Sequence, residues 1–235
     1  MSQVLLYLDV ETTGLEQEDR ICSLGLIVVD NENVTTYQSL VKPPRKIKPE
    51  AMAVHHITNE MVKEASSFSD IELYKLLETY NSEEHILVAH NVSFVLEMLS
   101  KEGLLWQGRV VDTLRCSKHL IKEIEHFSLQ YLRYELGLYK QEVATSKVLG
   151  VTLQAHSALS DALHVKLLCE YLLEMVSVQE LLTLTTQPVL LQKLTFGKYK
   201  TQYIEEIASQ DRGYLQWLLN QEIDEDLAYS IQHYI

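Results

Sequence analysis

Apolar residues follow two periods along this chain, and the switch between them divides it. Residues 4–8 make a short apolar run, 21–29 (ICSLGLIVV) a longer one and 34–41 a third, the last two joined by the turn-forming Asp30-Asn31-Glu32-Asn33. Three strands with short connections predict an antiparallel meander. Pro43, Pro44 and Pro49 mark an irregular loop before a helical pattern at 50–55. Thr58 is expected to cap a further turn containing Met61 and Val62. From Ser69-Asp70 the period becomes helical, with Ile71, Leu73, Leu76 and Leu77 apolar. The fully apolar run 86–89 reads as an interior strand. It is followed by a helix capped by Ser93 and running to Lys101, a last strand at 109–111 and a helix from Thr113. Residues 128–136 are helical and stop at Gly137, 151–155 form a loop, and 157–175 make the longest periodic helix. A meander followed by strands alternating with helices predicts an α/β class, a mixed sheet covered by helices. Gln187-Pro188 ends that unit, so the expected organisation is a main domain at 1–187 and a small segment at 188–235. With so few residues, the segment is expected to pack on the main domain rather than build a core of its own.

Composition narrows the class. Hydrophobic residues at 46% and charged residues at 23% describe an ordinary globular chain. No apolar run approaches the length of a membrane span, so no membrane association is expected. Met1-Ser2-Gln3 leads straight into the first strand, which argues against a signal peptide. Cys22, Cys116 and Cys169 are odd in number and widely spaced, as expected of a cytoplasmic protein without structural zinc. The net charge of −13 excludes the basic footprint of a protein that coats duplex DNA. It is compatible with local contact at a strand end. The cluster Lys42, Arg45, Lys46 and Lys48 reads as solvated loop charge.

Candidate chemistry begins at Leu8-Asp9-Val10-Glu11-Thr12-Thr13-Gly14. Residues i and i+2 of a strand share a face, so Asp9 and Glu11 project together and repel unless a cation lies between them. Two solvated acids on an edge strand are the bland alternative. Three more islands follow: Val54-His55-His56-Ile57-Thr58, His90-Asn91-Val92-Ser93-Phe94, and His156-Ser157-Ala158-Leu159-Ser160-Asp161-Ala162. The ordered set D-x-E-T-T-G, H-N-x-x-F, H-S-A-x-x-D-A resembles the DEDDh superfamily of 3′-to-5′ exonucleases, to which RNase T and the proofreading subunit of DNA polymerase III belong. Residues 49–58 (PEAMAVHHIT), with Phe196-Gly197-Lys198-Tyr199-Lys200 and the segment 211–218 (DRGYLQWL), are most similar to the exonuclease X family, so the resemblance spans nearly the whole chain.

The resemblance implies an RNase H-like exonuclease domain, a small exonuclease X-type C-terminal module and two-metal hydrolysis of phosphodiester bonds. Hard carboxylate ligands suit Mg²⁺ or Mn²⁺. Asp9 would bridge both ions, Glu11 and Asp161 would complete the shell of the first metal, and His156 would be the general base. Thr12, Thr13, Gly14, Leu15, His55, Ile57 and Asn91 would contact the substrate. Phe94 would either stack on a base or pack in the core. The expected partner is nucleic acid with a 3′ end, DNA before RNA and single strands before duplexes; some relatives are homodimers. One departure stands out: the family's H-N-x-x-F-D has Val95 where the acid belongs. Val95 offers no oxygen, Glu97 is rotated about 200° away on a helix, and Asn91 carries no charge, so the second ion is in doubt. Reduced activity, an inactive protein that binds strand ends or a repair partner, and an RNA-directed enzyme all stay open.

Overall fold

A computed structural model of the chain describes residues 3–122, 124, 126–154 and 156–235. Ala155, at the end of the loop expected at 151–155, lies outside the described residues. The strands are β1 (Val4–Thr12), β2 (Ile21–Asp30), β3 (Asn33–Leu40), β4 (Ile86–Ala89) and β5 (Arg109–Asp112). They form one mixed sheet of order β3-β2-β1-β4-β5, antiparallel across β1, β2 and β3 and parallel across β1, β4 and β5. The α/β mixed sheet read from the sequence is therefore the observed one.

Between the strands run α1 (Pro49–His55), a 3₁₀ turn (Phe68–Asp70), α2 (Glu72–Tyr80) and α3 (Val92–Lys101), and after β5 come α4 (Thr113–Leu120), α5 (Leu129–Glu135), α6 (Tyr139–Leu149), α7 (Ala158–Leu173) and α8 (Val178–Thr186). Strand alternation sorts them into layers. Leu6, Leu8, Val10, Leu24 and Leu26 face a cluster containing Leu73 and Leu77 of α2 and Val92, Val95 and Met98 of α3. Tyr7, Ile27, Ile86 and Val88 face the opposite cluster, built from α4 to α8, with Leu163, Leu168 and Leu172 of α7 at its centre. Asp9 and Glu11 share the parity of Tyr7 and so point to the α7 side.

Several local readings change. β1 does not stop at Leu8 but carries both acids and runs to Thr12, with a register shift between Glu11 and Thr12. Thr58 does cap the turn expected at Met61 and Val62, its hydroxyl accepting from the Met61 amide at 3.4 Å. α3 starts at Val92, not after Ser93, because the cap is supplied from outside: Asp112 accepts from the Asn91 and Val92 amides at 3.0 and 3.1 Å.

The chain divides into two compact units, Met1–Thr185 and Thr186–Ile235. The second contains α9 (Ile204–Gln210), α10 (Arg212–Leu218) and α11 (Glu225–Tyr234). Contrary to expectation it has an apolar cluster of its own, joining Leu194, Ile204, Ile207, Leu215, Leu218, Leu227 and Ile231. Three short amphipathic helices enclose these side chains without a sheet to lean on. Among the described residues no helix is long and apolar enough to cross a membrane.

Candidate active site

Asp9 and Glu11 reach the site from β1, and Asp161 reaches it from the first turn of α7. α7 comes that close because the residue paired with Asp9 across the ladder is Gly25. A Cβ on Gly25 would lie 2.2 Å from the backbone of Ala158 and Leu159. One carboxylate oxygen from each of Asp9, Glu11 and Asp161 lies within 4.8 Å of the others. Burial, then the charges of Asp161 and Glu11, push Asp9 well above the usual carboxylate range. Burial, then Asp161, pushes Glu11 up to about 8. Three acids held this way are uncomfortable alone and become comfortable around a cation. An all-oxygen, carboxylate-rich donor set fits Mg²⁺ or Mn²⁺.

These acids line a cleft of about 240 Å³ that also takes in His156, His90 and Gln130. His156 is half-buried and sits at φ 52°, the left-handed region, in the turn ahead of α7. A bulky residue held there marks a constrained position.

The other predicted positions divide into those free to meet a ligand and those committed to the fold. Leu15 is exposed and Asn91, at φ 67°, is exposed beside the α3 N-terminus. Thr13 is fully buried and donates its hydroxyl to Asp19 at 2.8 Å, so its side chain faces inward. Thr12 donates to the Gly14 carbonyl at 2.7 Å. His55 is buried; its Nδ1 accepts from the Ile57 amide at 3.0 Å, which leaves Nε2 to donate to the Thr12 carbonyl at 3.1 Å. Burial lowers the His55 pKa, keeping it in that neutral role. Ile57 belongs to a small cluster with Cys22, Ile47 and Val62. Phe94 is half-buried against the cluster on the far side of the sheet. His55 and Ile57 therefore hold the Thr12–Gly14 turn from behind rather than facing the cleft.

Val95 is buried in an apolar cluster with Val92 and Met98 of α3. Glu97 pairs with Lys101 at 2.7 Å, and the Asn91 side-chain oxygen Oδ1 accepts from the Ser93 hydroxyl at 3.0 Å. Among the described residues, Asp9, Glu11 and Asp161 form the one acidic group suited to a metal.

Asp19 and Asp112 escaped the sequence reading, and His90 and Lys48 take supporting roles it did not assign. Asp19 is enclosed; burial raises its pKa, but hydrogen bonds from Lys48, the Glu16 amide and Thr13 outweigh this and bring it down to about 2. It approaches Gly14 so closely that a Cβ there would stand 2.4 Å from its carboxylate. Lys48 reaches Asp19 at 2.9 Å and Glu16 at 2.6 Å, so part of the basic loop is spent on the turn. His90 bridges Thr113 at 3.0 Å and the Phe127 carbonyl at 2.7 Å, fixing the cleft wall. Asp112, in addition to its α3 contacts, accepts from the Leu114 and Arg115 amides at 2.9 and 3.4 Å, capping two helices at once. Asp112→Ala is expected to destabilise the protein by about 3 kcal/mol, since buried amides lose their acceptor. Thermal unfolding of the variant checks this.

The family model described as Exonuclease, that of RNase T, matches residues 6–168, and one described as Exodeoxyribonuclease X-like C-terminal matches 194–222. The chain is 29% identical to exodeoxyribonuclease 10 of Escherichia coli strain K12, covering 99% of each. It is 30% identical to DNA polymerase III subunit epsilon of Treponema pallidum over 55% of this chain and 63% of that one. Among solved structures, exonuclease X in complex with 5′ overhanging duplex DNA superposes with a TM-score of 0.59 at 26% identity, covering 77% of this chain and 99% of that one. With a mixed sheet, three clustered acids and a family match over both units, the chain belongs to the exonuclease family and is a nuclease-type hydrolase by descent.

Proposed function

We propose that this chain is a 3′-to-5′ exonuclease acting on DNA, with single-stranded ends preferred. The observation that carries the reading is the approach of Asp9, Glu11 and Asp161 to within 4.8 Å on the wall of a cleft that also contains His156. Asp9, Glu11 and Asp161 would hold Mg²⁺ or Mn²⁺, which when bound activates water and stabilises the leaving oxygen. His156 takes the proton of the attacking water at a ring nitrogen, a task suited to an imidazole near neutral pH. The turn at Thr12–Gly14, the exposed Leu15 and Asn91 contact the terminal nucleotide. DNA is favoured because exodeoxyribonuclease 10 is similar over nearly the full length. The acidic cleft suits short contact with a strand end inside the reducing cytoplasm.

A second reading, binding of strand ends without turnover, is favoured by one observation. Val95 is apolar and buried where the family carries an acid, so a second ion would lack that support and activity would be reduced. Incubating 5′-labelled single-stranded DNA with the protein and Mn²⁺ separates the two. The expected result is a ladder shortening from the 3′ end and absent with Asp9→Ala. End binding without a ladder, with cleavage gained only in Val95→Asp, would favour the second reading; preference for labelled RNA would move the substrate class.

A further inference from the structure

Asp161 closes a ring of polar side chains contributed by three helices. Gln130 of α5 donates from Nε2 to Asp161 Oδ1 at 2.6 Å. Oε1 of the same Gln130 side chain accepts from Arg133 Nη1 at 3.0 Å. Arg133 grips Glu142 of α6 in a two-point pair, Nε and Nη2 each 2.6 Å from a carboxylate oxygen. Glu142 Oε2 approaches Nε2 of His164 to 3.2 Å without a hydrogen bond between them, and His164 Nδ1 lies 3.2 Å from the same Asp161 Oδ1. Glu142, His164 and Asp161 are all buried.

Such a ring is an expensive way to hold three helices together. Buried ion pairs contribute little net stability compared with apolar residues of similar volume, and α5, α6 and α7 already share an apolar cluster. Within the ring, Asp161 and Gln130 are the members that line the cleft. Gln130 Nε2 and His164 Nδ1 both lie against Oδ1 of Asp161, so one oxygen of the carboxylate is engaged by the ring and the other is left for a cation. Metal-binding carboxylates held by hydrogen bonds in this way keep their aim, and removing such partners weakens metal binding by about 10–100-fold.

We propose that Gln130, Arg133, Glu142 and His164 are positioning residues that lock the Asp161 carboxylate for cation binding. The inference rests on the metal-dependent reading above. It also gives the ring a place in a site short of one acid: with Val95 contributing no oxygen, the orientation of the remaining carboxylates carries more of the cation affinity.

The test is calorimetric titration of the full chain with Mn²⁺ alone, together with melting curves in chelator. Wild-type protein is expected to bind Mn²⁺ and Asp9→Ala to lose it; if wild type does not bind, the metal-dependent reading falls, and this inference with it. Given wild-type binding, Gln130→Leu and His164→Leu are expected to weaken Mn²⁺ by about tenfold or more. His164→Asn, whose side-chain amide can reach Asp161 Oδ1 from the place of Nδ1, is expected to stay near wild type. Gln130 sits on the cleft wall, so its variant carries the test if a buried variant fails to fold. A folded Gln130→Leu that binds Mn²⁺ as tightly as wild type overturns the proposal and leaves the nuclease reading standing. Melting points lowered in chelator with unchanged Mn²⁺ affinity would show a ring that only holds helices, and would overturn it equally.

Discussion

Asp9→Ala is expected to lower turnover by at least about 10²–10³-fold, the scale of losing one group that organises charge in the transition state, while making the metal-free protein more heat-stable. The two effects share one cause. Burial and the neighbouring charges of Asp161 and Glu11 drive Asp9 well above the usual carboxylate range, so its charged form is strained until a cation arrives. Removing it relieves the repulsion and removes the cation site together. Melting curves should therefore cross: Asp9→Ala above wild type in chelator, and below it once Mn²⁺ stabilises only the wild type by mass action.

The same acids give metal-free protein a characteristic pH response. Glu11 is pushed from 4.5 up to about 8, so between those values the folded chain holds a proton that the unfolded chain has released. Stability then falls as pH rises through that window and levels off above it. Asp9 acts in the same direction. Melting temperature in chelator is expected to decline by several degrees from pH 5 to pH 8, with the decline flattened in Glu11→Gln. A metal-free profile that rises over this range would contradict the cluster.

How far the sequence was legible depends on which side chains each element buries. β1, β2 and α7 could be read because most of their buried positions are apolar. α6 was passed over for the opposite reason: its buried residues are Glu142 and Ser146, so it shows no apolar stripe. That omission hid the ring, since Glu142 is legible only beside Arg133 and His164. Asp9, Glu11 and Asp161 were legible from spacing and motif, and they do converge. His55 and Ile57 belonged to the same motif, yet motif membership does not separate a residue that touches a ligand from one that props the turn behind it. Burial separates them. Asp112 is legible locally only as the cap of α4; its hold on the Asn91 and Val92 amides, and the hold of Asp19 on Thr13 and Lys48, join parts of the chain that the sequence keeps apart.

Gly25→Ala is expected to depress activity more than it depresses stability, and Gly25→Val to prevent the native fold from forming. Gly25 lies on β2 directly opposite Asp9, with the first turn of α7 against it. An added Cβ would stand 2.2 Å from the Ala158 carbonyl carbon and the Leu159 nitrogen and 2.4 Å from the Ala158 oxygen. These are backbone atoms, so no rotamer change relieves the clash and the helix start must lift from the sheet. Overpacking of this kind costs about 1–3 kcal/mol where neighbours can move. Catalysis is more sensitive, because Asp161 rides on the turn that shifts while Asp9 and Glu11 stay on the strand. A displacement of about 1 Å between cooperating groups can cost roughly 10²-fold in rate. In Gly25→Ala, Mn²⁺ affinity should fall with activity while most of the protein stays folded. Wild-type Mn²⁺ affinity and turnover in that variant would mean that the approach of α7 to β2 does not set the distance between the acids. The small residue at position 25 is thus as much a part of the site as the carboxylates, since it lets an acid from a helix and two from a strand occupy one cleft.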